Sequence, residues 1–155
     1  MIARIATIFP TDATLFREII RRPASLAYVS APLLYFQLLE DGEDEDWLAE
    51  EWVVGREYAL QLFLWRWIPL GRHWITLVEV DLAANTIRSH ERGTLAPVWK
   101  HTIQFMPVGE NQLYYSDEIE IQAGPVTPLV WLFAHIFYRH RQRRWRKLLE
   151  MNTSR

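Results

Sequence analysis

His101 and Asp117 are the residues of this chain best placed to do chemistry. In the segment Val98 to Met106, positions 99, 101, 103 and 105 carry Trp, His, Ile and Phe, while Lys100, Thr102 and Gln104 alternate with them. A strand turns successive side chains to opposite faces, so the first set faces a core. The following segment sorts Leu113, Tyr115, Asp117, Ile119 and Ile121 from Tyr114, Ser116, Glu118, Glu120 and Gln122. An imidazole and a carboxylate are thereby turned inward on neighbouring strands. A buried carboxylate is costly unless partnered, and an imidazole is a natural partner. Three roles suit the pair: a structural contact, a polar anchor in an apolar cavity, or general acid–base catalysis on a carbonyl substrate, as a cyclase or dehydratase would require.

Two further ionisable residues are candidates. Glu91 shares a strand face with Ile87 and Ser89 and is expected near a cavity mouth. Arg139 lies in a helical segment whose Leu132, Ile136 and Phe137 must meet a sheet, so it either joins Glu91 inside or sits on a solvated face. The five histidines (73, 90, 101, 135 and 140) are not at metal-ligand spacing, and no cofactor is expected. No phosphate-binding glycine loop, zinc-protease motif or nucleophile elbow occurs.

The elements that position these residues follow from patterning and turn chemistry. Arg4 to Phe9 reads as a strand stopped by Pro10. Thr11 or Asp12 caps a short helix, and Pro23 either ends it or begins a second one running through about Val29. Leu33 to Leu39 fits a strand or a helix. From Trp52 to Gln122 short strands alternate with turns at Pro69–Gly71, Asp81–Asn85, Gly93 and Pro107–Asn111, the mark of an antiparallel meander. Pro128 to about Glu150 reads as one long helix with its proline harmlessly near the start. The class is α+β: a curved antiparallel sheet wrapped around a long C-terminal helix, with two short helices after the first strand. The length suits one domain over residues 1–155.

The stretch from His90 to His101, HERGTLAPVWKH, is followed by Phe105, by Asp117-Glu118-Ile119, and by Phe137-Tyr138-Arg139-His140-Arg141 on the last helix. This ordered set resembles an uncharacterised bacterial branch of the START-like, or SRPBCC, ligand-binding superfamily. One departure lies at Gly93-Thr94-Leu95-Ala96-Pro97, where that branch usually carries Gly-Pro-Phe. The resemblance implies a helix-grip fold enclosing an apolar cavity between sheet and helix. Functions on that fold range from carriage to polyketide cyclisation, so fold alone does not decide. The expected ligand is a small apolar or amphipathic molecule lined by Trp99, His101, Phe105, Tyr115 and Asp117, with Phe133 and Phe137 as lid.

Composition agrees with a globular binder: 50% hydrophobic and 23% charged residues, with 14% aromatics including eight Trp. The absence of Cys excludes disulfides, thiolate metal sites and a Cys nucleophile. A net charge of −2 argues against general nucleic-acid binding. The charges are segregated, with eight acids in residues 40–51 and six Arg or Lys in Arg139–Lys147. Either run offers an alternative role as a protein-interaction module. Trp145 amid the basic residues admits contact with a membrane surface. No signal-like or membrane-spanning segment is read, and the expected compartment is the cytoplasm.

Overall fold

The computed structural model describes residues 1–39 and 47–153. Strand β1 (Ile2–Phe9) leads to helices α1 (Ala13–Ile20) and α2 (Pro23–Ser30), then to strands β2 (Leu34–Leu38), β3 (Glu57–Leu64), β4 (Ile68–Asp81), β5 (Thr86–Gly93), β6 (Val98–Gly109) and β7 (Gln112–Gln122), and finally to helix α3 (Thr127–Thr153). All seven strands join one antiparallel sheet in the order β1-β7-β6-β5-β4-β3-β2. The ambiguous Leu33–Leu39 segment is strand β2, at one edge, and β1 forms the other.

Local chemistry sets the boundaries. Asp12 caps α1, its Oδ1 accepting from the backbone N–H groups of Thr14 and Leu15. Pro23 opens α2 in the first turn, where its missing N–H costs nothing. One expected turn is displaced and another is shorter than expected, because Pro69–Gly71 and Pro107–Gly109 run inside β4 and β6. The chain reverses at Trp65 and Arg66, both at positive φ, and at the end of the expected Pro107–Asn111 turn, where Asn111 has φ of 53°. Each proline sits at a register irregularity, where the ladder already lacks a bond and a residue without an N–H is tolerated.

Helix α3 lies along β1. The Trp131 indole donates to the Ile2 carbonyl, Gln142 Nε2 to that of Ile5, and Arg146 to that of Ile8. On its other flank His140 bonds the Ala31 carbonyl, while Arg144 donates to the Tyr28 carbonyl from over the Tyr28 ring. The helix therefore covers the β1–β7 side of the sheet directly. The strands from β6 to β2 curve away from it and leave a space between.

Two apolar clusters close the ends. One joins Phe16 and Ile20 of α1 and Trp145 and Leu149 of α3 to Phe105, Leu113 and Tyr115. The other sets Ala134, Phe137 and Tyr138 against Trp99, Ile119 and Ile121. Trp145 is buried in the first cluster and cannot meet a membrane surface. No helix among the described residues is long and apolar enough to cross a membrane.

Candidate functional site: a cavity between sheet and helix

Between α3 and strands β2–β6 lies a cavity of about 860 Å³. The sheet contributes an apolar floor, including Leu62, Ile75, Leu77 and Ile103. Leu95, Leu129, Leu132 and Ile136 line it while more than half exposed, and so mark an apolar mouth beside the start of α3. At another rim Arg21 and Glu51, 2.6 Å apart, form an ion pair.

Of the seven residues expected at the wall, the structure brings Trp99, His101, Phe133 and Phe137 to the cavity. Phe105, Tyr115 and Asp117 lie outside it. Phe105 and Tyr115 pack on Phe16 of α1, with ring centroids at 5.0 and 5.6 Å. Asp117, on β7, sits directly under α3. Alternation correctly predicts that these side chains point inward, but not which element covers them.

Asp117 is wholly buried and fully engaged. Its Oδ1 accepts from His101 Nε2 at 2.8 Å and from the Tyr115 hydroxyl at 2.7 Å, and its Oδ2 accepts from Gln142 Nε2 at 3.2 Å. A carboxylate at this position requires a hydrogen on His101 Nε2, which leaves Nδ1 as the ring nitrogen without a hydrogen-bond partner among the described residues. Burial raises the Tyr115 pKa well above its ordinary value, and the adjacent Asp117 charge adds to the rise.

Glu91 lines the cavity, and its partner is not Arg139. Its Oε2 accepts from His73 Nε2 at 2.8 Å and its Oε1 from the Ser89 hydroxyl at 2.7 Å. Burial pushes the carboxyl upward, yet the hydrogen bond and charge of His73, with His101 and Ser89, hold its pKa below the usual value. Gly93 makes this possible, since a Cβ there would lie 2.6 Å from His73 Nδ1 and 3.0 Å from the Arg72 carbonyl. The Gly93–Pro97 turn is closed by the Gly93 amide donating to the Ala96 carbonyl and the Thr94 amide to that of Arg72.

Arg139 is exposed, and Arg141 is the arginine that turns inward. It follows Phe133 and Phe137 at intervals of four, the spacing that keeps side chains on one helix face. Arg141 is 5% exposed, with its guanidinium 4.8 Å from the Tyr138 ring centroid. Its Nε is buried without a hydrogen bond, and no hydrogen bond or ion pair reaches the guanidinium among the described residues. Tyr138 accepts from the Trp99 indole at 3.3 Å, and its own hydroxyl hydrogen has no acceptor among those residues. Burial raises the Tyr138 pKa, so that hydroxyl stays a donor. The basic run 139–147 is therefore no uniform face: Arg141 points inward, while Arg144 and Arg146 bond carbonyls of α2 and β1. Residues 40–46 of the acidic run lie outside the described residues. Within the rest of it, Glu50 and Glu51 pair with Arg56 and Arg21. Among the described residues no cluster of three His, Asp or Glu is arranged to hold a metal.

No protein-family model matches the chain, and no curated protein matches it. Solved structures do. A protein from Chromobacterium violaceum superposes with a TM-score of 0.72 at 15% identity, covering 96% of each chain. A START superfamily protein from Mycobacterium smegmatis gives 0.67 at 13% identity over 97% of each chain. An aromatase/cyclase from a Streptomyces species gives 0.60 at 11% identity, over 100% of this chain and 94% of that one. With a seven-stranded curved sheet, two short helices after the first strand and a long C-terminal helix, the chain has the helix-grip fold of START-like proteins.

Proposed function

We propose that this protein binds and carries a small, largely apolar molecule in the cavity between sheet and α3. The observation that carries this reading is the cavity itself: about 860 Å³, floored by aliphatic side chains and open through an apolar mouth. A void of that size in a close-packed domain forfeits dispersion contacts that a ligand restores. Trp99, Phe133 and Phe137 provide flat, stiff contact surface, and His101 offers Nδ1 as a polar contact. Tyr115 and Asp117 act behind the wall, fixing the orientation of His101, while Phe105 packs on α1. Carriage is favoured over turnover because His101 Nε2 is committed to Asp117, which lies off the cavity, and both Glu91 oxygens are occupied.

The test is ligand-dependent thermal protection, with native mass spectrometry of freshly purified protein to detect a co-purified molecule. A ligand at ~100 times its Kd adds about 2.7 kcal/mol. An Ile87→Trp variant, which fills the cavity from β5, is expected to weaken binding at least tenfold while melting close to the wild type. If no apolar chain or flat polycyclic compound protects the protein, and nothing co-purifies, the carrier reading is wrong.

A further inference from the structure

The charged groups of the cavity wall show one asymmetry. Arg21 pairs with Glu51, His73 with Glu91 and His101 with Asp117. Arg141 has no such partner among the described residues, although it is buried and lines the cavity. A guanidinium is permanently charged and offers five N–H donors. Its Nε is buried with no hydrogen-bond partner, and an unmade hydrogen bond at a buried charged group is costly. Tyr138, next to it on α3, brings a second donor whose hydrogen is unused. Two neighbouring donors on the cavity wall, with no acceptor among the described residues, suit an anion.

Resting on the carrier reading, we infer that the ligand is an amphipathic carboxylate, bound with its carboxylate on the Arg141 guanidinium and the Tyr138 hydroxyl. The planar fork of arginine matches a carboxylate with two parallel hydrogen bonds. A single negative charge suits the site better than the double charge of a phosphate monoester, because Glu91 and Asp117 already place negative charge near Arg141. The apolar part of the ligand lies back along Phe137 and Phe133 toward the mouth. From Leu129 to Arg141 is twelve residues of α3, about 18 Å at 1.5 Å per residue, a span that a long fatty-acyl chain fills.

The experiment compares matched ligands on the full chain: tetradecanoate, tetradecyl phosphate and 1-tetradecanol, with 9-anthracenecarboxylate and 9-anthracenemethanol as a flat pair. Intrinsic fluorescence and calorimetry read Kd for wild type, Arg141→Met and Arg141→Lys. The wild type is expected to prefer a carboxylate to its alcohol by roughly tenfold or more, the worth of a charge-assisted hydrogen-bond pair. Arg141→Met should erase that preference without weakening the alcohol, and Arg141→Lys should retain part of it. If the alcohols bind as tightly as the acids, or Arg141→Met keeps the preference, the carboxylate assignment falls while the carrier reading stands. A tighter-binding phosphate would likewise overturn it. If no member of either set binds, the carrier reading fails and this inference fails with it.

Discussion

Replacing Asp117 with Asn tests whether the buried network beneath α3 is structural. The change keeps the shape of the side chain, so its cost is electrostatic. One amide oxygen can still accept from His101 Nε2 and the Tyr115 hydroxyl, but without the negative charge that strengthens both bonds. The amide nitrogen then meets Gln142 Nε2, a donor against a donor. Gln142 cannot turn its amide over without loss, because the same nitrogen also bonds the Ile5 carbonyl at 3.0 Å. Leaving a buried donor unmatched costs about 1–3 kcal/mol. At about 2–4 °C per kcal/mol for a domain of this size, the melting temperature should fall by roughly 2–12 °C. Thermal denaturation followed by circular dichroism measures this, with denaturant titration confirming an unchanged m-value. Because Asp117 is off the cavity, ligand affinity of the folded variant should change by less than threefold. A variant that melts within 2 °C of wild type, or keeps its stability and loses its ligand, would refute the assignment.

Three further outcomes are expected. Gly93→Ala should displace His73 from Glu91 and cost about 1–3 kcal/mol, as overpacking does, whereas Gly55→Ala, with open space around its Cβ position, should show only the strain of its positive φ. Glu91 has a depressed pKa, so its contribution is complete above the ordinary 4.5 and is lost as pH falls through the lower folded value; Glu91→Gln should flatten the acid limb of a stability–pH profile. Tyr115 and Tyr138 have raised pKa values, so their contribution holds below the ordinary 10.0 and is lost as pH climbs above it; Tyr138→Phe should remove part of the alkaline loss seen by ultraviolet absorbance and melting.

Strand faces were legible because alternation is a property of the backbone alone. Trp99, His101, Ile103 and Phe105 are buried as a set, and so are Leu113, Tyr115, Asp117, Ile119 and Ile121. Which of them meet a ligand depends on where α3 crosses the sheet, a tertiary fact with no local sequence mark. The prolines misplaced one turn and widened another, because a bulge can absorb a missing N–H that sequence reading assigns to a chain reversal. Arg141 was hidden by company: within a run of six basic residues, one inward arginine has the same local composition as its solvated neighbours. Its signal was positional, four residues beyond Phe137, and counting from the apolar stripe would have separated it from Arg139. His73 was recoverable too, since it shares its strand face with Ile75 and Leu77 and lies diagonally across the hairpin from Glu91.

Asp117 and Arg141 illustrate two reasons for a protein to bury charge. Asp117 has three donors, so removing it should unfold more than it unbinds. Arg141 has no hydrogen-bond acceptor among the described residues, although the Tyr138 ring and the charges of Asp117 and Glu91 favour its charged form. Its position turns those unused donors into selectivity: an uncharged ligand gains only apolar contact in this cavity, whereas an anion also pairs with the guanidinium. The discrimination then comes from hydrogen bonds that only an anion accepts. It requires no catalytic group, and it accounts for a cavity whose other charged side chains are already engaged within the protein.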